Sequence, residues 1–92
     1  MNKSQLISSL AKAEDMVMTK AEEVVNTVFG EIEKALINSE RVEIRGFGSF
    51  KVKHYDGYHG RNPKSGEIIE VAPKKLPFFK VGKELKERVD VE

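Results

Sequence analysis

Arg41-Val42-Glu43-Ile44-Arg45-Gly46-Phe47-Gly48-Ser49-Phe50-Lys51-Val52-Lys53-His54-Tyr55 is the stretch on which the fold turns. Arg41 to Arg45 alternates charged and apolar residues, the period of a half-buried strand. Gly46-Phe47-Gly48 reads as a tight turn, because glycine admits positive φ. Alternation resumes from Ser49 to Tyr55, with Phe50, Val52 and His54 on one face and Ser49, Lys51, Lys53 and Tyr55 on the other.

Toward the C-terminus, residues 56–66 are rich in turn formers and poor in anything that packs. Glu67 to Ala72 reads as a further strand, so 55–72 forms a hairpin whose tip is Arg61-Asn62-Pro63-Lys64. Pro73 and Pro77 bracket a basic connector, and Lys83 to Val89 is a short last helix with Leu85 and Val89 inward. A lone two-stranded ribbon is marginal in water. It needs something to order on, and a β-ribbon with guanidinium groups fits a DNA groove.

Toward the N-terminus the period is helical. Leu6, Ile7, Leu10 and Ala11 share one face of a first helix, with Ser4 as its expected N-cap. Thr19-Lys20-Ala21-Glu22 fits a capping box that opens a second helix. Ala21, Val24, Val25, Val28, Phe29, Ile32, Ala35 and Leu36 then form a stripe too wide for the first helix to cover. That stripe demands a sheet, another chain, or both.

The chain has 92 residues and no cysteine, which excludes disulfides, thiol nucleophiles and Cys-based zinc sites. One small domain over residues 1–92 is expected, with a helical part at 1–40 and the sheet, arm and last helix at 41–92. No apolar run approaches a membrane span, so a cytoplasmic protein with no membrane partner is expected. Residues 1–40 carry four Lys/Arg against seven Asp/Glu, whereas residues 41–83 carry ten against four. This segregation is a footprint for a polyanion, the plainer alternative being a solvated charged surface.

These residues together resemble the bacterial HU and integration host factor family of histone-like DNA-bending proteins over essentially the full length. The resemblance is carried by the opening Met1-Asn2-Lys3-Ser4-Gln5-Leu6-Ile7 and by Gly46-Phe47-Gly48-Ser49-Phe50. It continues through the tip Gly60-Arg61-Asn62-Pro63-Lys64-Ser65-Gly66 and the closing block Leu76-Pro77-Phe78-Phe79-Lys80 with Gly82-Lys83-Glu84-Leu85-Lys86. Ile44-Arg45-Gly46 and Lys83 to Arg88 lean toward the beta subunit of integration host factor, and the length and opening toward HU.

The resemblance implies an α+β fold: an intertwined dimer with a helical base and two protruding β-ribbon arms that enter the minor groove of double-stranded DNA in the nucleoid. Pro63 would be the intercalating wedge, with Arg61 and Asn62 beside it in the groove. Lys3, Lys80, Lys83 and Lys86 match positions facing the DNA backbone, and Arg45 a DNA-facing arginine. Lys51, Lys53, Lys64, Lys74 and Lys75 complete the expected DNA-binding set. The chain departs from the family at Tyr55, Asp56 and Tyr58, where arm arginines are usual, and at Met16-Val17-Met18, where a serine cap is usual.

Catalysis is not expected, since no nucleophile–base–acid set is present, and no cofactor or small-molecule substrate is implied. His54 and His59 lack a third ligand, so no metal is expected. Two alternatives stand beside a homodimer of low sequence specificity. One is a sequence-selective subunit of a heterodimer with a paralogous chain. The other, from a different class, is a protein-interaction dimer whose acidic helical half is the working surface.

Overall fold

A computed structural model describes residues 1–91, so the last residue of the expected 1–92 domain lies outside the described residues. The order is α1 (Lys3–Ala13), α2 (Met18–Ile37), β1 (Val42–Ile44), β2 (Gly48–Tyr55), β3 (Tyr58–Arg61), β4 (Ile68–Val71), β5 (Lys74–Val81) and α3 (Lys83–Val89).

Both helix starts differ from expectation. Asn2, not Ser4, caps α1: its side chain accepts from the Gln5 N–H at 2.9 Å, and the Gln5 side chain accepts from the Asn2 N–H at 2.9 Å. The reciprocal box needs an acceptor three residues on, which Gln5 supplies for Asn2 and Ile7 cannot supply for Ser4. Helix α2 begins before Thr19, with Val17 at the N-cap and no side-chain cap. Asp15 turns the chain with φ of 51°, and the Met16 N–H donates to the Ala11 carbonyl at 2.8 Å. Met16 thereby packs on the helical core, and that tertiary contact overrides the local capping signal.

That core is small. Ile7, Ala11, Ala21 and Val25 are buried between α1 and α2, with Leu6, Leu10 and Met16 against them. Further along the stripe, Val28 and Phe29 are each 51% exposed.

The sheet has the order β1-β2-β5, and β3 pairs with β4 as a separate two-stranded ribbon. Antiparallel pairing runs from Gly48↔Val81 to Tyr55↔Lys74. The expected basic connector is therefore a strand, β5, with Pro77 inside it opposite Val52. Its missing N–H is tolerated because β5 is an edge strand. The turn between β1 and β2 closes with the Phe47 N–H on the Ile44 carbonyl at 2.9 Å, and Gly46 takes the required positive φ of 84°.

The pairing stops at Asp56-Gly57 and Ala72-Pro73, then resumes at Tyr58↔Val71 without a slip in register. The two ladders are one ribbon with an in-phase break, set by a proline that has no N–H to give. Because the arm projects, the radius of gyration is 19.4 Å, against about 12 Å for a compact chain of this length.

Leu85 of α3 is half-buried as expected, but Val89 is 74% exposed. Phe47, Phe50 and Phe79 form one cluster beside the sheet, with ring centroids 5.6 Å (Phe47–Phe79) and 4.8 Å (Phe50–Phe79) apart. Gly48 sits under it. A Cβ there would lie 2.5 Å from the Phe79 ring and 2.6 Å from the Lys80 carbonyl. Gly48→Ala is therefore expected to cost about 3 kcal/mol, the upper end of overpacking penalties, as read by equilibrium denaturation.

Candidate nucleic-acid interface

Strand pleating sorts the side chains of the sheet. On one face, the one turned toward α2, lie Phe50, Val52 and His54 of β2 with their partners Phe79, Pro77 and Lys75. On the other lie Ser49, Lys51, Lys53 and Tyr55, paired with Lys80, Phe78, Leu76 and Lys74. Glu43 of β1 is opposite Ser49 and so joins this outer face, flanked by Arg41 and Arg45 at the same parity.

The outer face is cationic and apolar at once. Phe78 lies beneath two ammonium groups, Lys53 Nζ at 3.6 Å and Lys51 Nζ at 5.8 Å from the ring centroid. Lys74 Nζ is 5.9 Å from the Tyr55 ring. These contacts place long, flexible cations over aromatic rings without neutralising them. Phe78 was not among the expected site residues. The signal for it was the alternation Lys74, Leu76, Phe78, Lys80, hidden because Pro73 and Pro77 read as connector.

Acid partners are few. Among the described residues, the expected DNA-contacting cation with a carboxylate within ion-pair distance is Lys83, 4.0 Å from Glu87. Arg41 pairs with Glu43 at 2.7 Å, which leaves Arg45 without a carboxylate partner among the described residues. Lys86 extends from α3 and is exposed. Lys3 lies in the first turn of α1, on the helical half. Lys75 is separated from its neighbour Lys74 by the pleat, and its Nζ donates 2.8 Å to the Ile37 carbonyl at the end of α2.

The arm carries the second cluster. Arg61 ends β3, and Asn62 to Gly66 close the hairpin. The Asn62 N–H donates to the Glu67 carbonyl at 2.8 Å, and the Gly66 N–H to the Asn62 carbonyl at 2.7 Å, with Gly66 at φ of 75°. The Asn62 side chain accepts from the Lys64 N–H at 2.9 Å, which folds the backbone around Pro63. Asn62 is half-buried by this role, whereas Arg61, Pro63 and Lys64 are exposed. The ring of Tyr58 lies alongside Gly60, and both Tyr55 and Tyr58 remain substantially exposed.

No group of three or more metal-ligating side chains is found among the described residues, and no described helix is long and apolar enough to cross a membrane.

A cationic sheet face and an exposed basic hairpin tip define a nucleic-acid-binding protein. The chain belongs to the bacterial DNA-binding protein family of HU and integration host factor, whose model matches residues 1–90. It is 48% identical over 91 residues to the integration host factor subunit beta of Actinobacillus succinogenes, covering 98% of this chain and 97% of that one. It is 47% identical over 92 residues to the corresponding subunit of Histophilus somni, covering 99% and 98%. Among solved structures, it is similar to Anabaena HU in a cocrystal with DNA, with TM-score 0.84, 30% identity and full coverage of both chains. It is also similar to a Thermotoga maritima HU variant, with TM-score 0.73, 32% identity and coverage of 98% and 100%. The α+β fold with a β-arm, inferred from the sequence, agrees with these structures.

The amide turn at the tip is testable alone. Asn62→Ala removes one hydrogen bond worth about 1 kcal/mol, so amide exchange at Lys64 is expected to quicken about fivefold by NMR.

Proposed function

We propose that this chain is an architectural protein that, as a dimer, bends and compacts double-stranded DNA by gripping phosphates and wedging the minor groove. The observation that carries the reading is the outer face of the β2–β5 sheet, where Lys51, Lys53, Lys74 and Lys80 stand together with no carboxylate partner among the described residues. Arg45, Lys83, Lys86 and Lys3 extend this phosphate-binding set.

In this reading the arms follow the minor groove from the saddle. Arg61 and Lys64 meet the groove walls, Asn62 shapes the tip, and Pro63 enters between base pairs. The proline is suited to this because it has no N–H to satisfy and presents a rigid apolar ring. Wedges of this kind cost a few kcal/mol of unstacking per step, offset by the extra surface that bent DNA wraps. Preference among sites then comes mainly from deformability, since the minor groove distinguishes little beyond A·T from G·C.

Dimerisation has its own physical support. Phe29, Phe47 and Phe79 are each more than a third exposed in one chain, beside a core of four buried residues. Such a chain gains its core by association. No reaction is assigned to it, and the nucleoid is its proposed place in the cell.

A second reading is favoured by the kinship to beta subunits of integration host factor: that the working dimer pairs this chain with a paralogue. One experiment tests both. The chain, purified alone, is expected to run as a stable dimer and to shift a duplex of about 35 base pairs near 50 mM salt, weakening steeply as salt rises. Aggregation or unfolding of the lone chain selects the heterodimer, and a stable dimer that shifts no duplex overturns the DNA-binding reading. For the wedge, Pro63→Ala is expected to reduce bending, read by energy transfer between the duplex ends, more than it reduces affinity. An unchanged bend removes Pro63 from the mechanism.

A further inference from the structure

Lys74 and Lys75 are adjacent in sequence, at the last rungs before the break in the ribbon, yet they serve opposite faces of the sheet. Lys74 stands on the outer face beside Tyr55, and Lys75 is turned toward α2. The end of α2 explains what Lys75 does there.

A helix leaves its last four carbonyls without intrahelical partners. At the end of α2 three of them are met by the backbone that follows. The Asn38 N–H donates to Lys34 at 3.2 Å, the Ser39 N–H to Leu36 at 3.0 Å and the Glu40 N–H to Ala35 at 2.8 Å. Ser39 takes φ of 59° to allow this. The Ile37 carbonyl receives the ammonium of Lys75 at 2.8 Å, from 38 positions along the chain, and the same ammonium lies 3.3 Å from the Ser39 hydroxyl. The site favours a cation twice over: a free acceptor is filled, and a positive charge sits at the negative end of the helix dipole.

We infer that Lys75 is a positioning residue, which ties the root of the DNA-binding arm to the C-terminus of α2, and not a phosphate contact. The inference rests on the proposed bending function. The in-phase break begins just past Tyr55↔Lys74, so the Lys75 anchor holds the rigid part of the ribbon at its outer end. The anchor then sets the angle at which the arm leaves the body. Being exposed, the bonds add little to stability, and their effect lies in direction. Lys75 is accordingly set apart from the phosphate-binding set expected from the sequence.

Measurements on the full-length dimer separate the two roles. A lysine that meets a phosphate contributes about 0.9 to the log–log salt slope, or about 1.8 for two protomers. Lys75→Met, at temperatures where the dimer is folded, is expected to leave this slope unchanged while lowering end-to-end energy transfer on saturated duplex. Lys75→Arg, which keeps the charge and donors, is expected to restore the transfer. Ser39→Ala removes one acceptor and leaves the lysine, giving a smaller loss of the same kind, and it decides the matter should Lys75→Met not fold. A slope reduced by about 1.8 overturns the inference in favour of a phosphate contact. An unchanged bend overturns it in favour of a purely structural bond. Failure of the wild-type dimer to bend DNA is a separate result, which bears on the proposed function itself.

Discussion

Eight consecutive residues of β2 pair with eight of β5, and pleating sends their side chains alternately to opposite sides. The rest of the molecule depends on that division. One side carries Phe50, Val52, Pro77 and Phe79 and meets α2 at Val52 and Pro77, and the other is lined with ammonium groups. A slip of β2 by one residue against β5 would turn Lys51 and Lys53 toward α2 and Phe50 outward. The cost of burying those unpaired charges forbids that register. The same residues that furnish the proposed phosphate-binding surface thus also specify the fold.

A second constraint is the shortage of core. A chain of this size buries a modest share of its surface, and here, among the described residues, the buried apolar part amounts to four small or medium side chains between α1 and α2. The aromatic cluster around Phe79 and the exposed part of the α2 stripe hold the remaining apolar area. In the proposed dimer, association of two chains would convert both into interior and couple folding to assembly. The arm stands outside this arrangement, with no apolar layer beneath it, and is therefore free to conform to a duplex.

Much of this was legible in the residues. The switch from helical to strand period at Arg41, the glycine turn at Gly46 and the exposed tip around Pro63 each follow from local chemistry, and the structure has them where the spacing places them. The misread parts depend on tertiary facts. Pro77 argues against a strand unless the strand lies at a sheet edge, and edge position is not written locally. The start of α2 was set by Met16 packing on the helical pair, against the capping signal at Thr19. Asn2 was visible as a cap once Gln5 was considered with it. At the interface, the alternation that put Lys74 and Lys80 on one face also put Lys75 on the other. Basic composition alone could not separate them.

The interruption at Asp56-Gly57 and Ala72-Pro73 preserves the pairing phase on both sides. Geometrically, the distal hairpin behaves as a detachable extension. Adding or removing whole cross-strand pairs beyond the interruption shifts the reach of Arg61 and Pro63 by about 3.4 Å per pair. An even number of pairs returns the tip to its original facing, whereas an odd number presents its reverse to the groove. A change of arm length that keeps the same tip face toward the duplex is thereby confined to steps of two residues per strand.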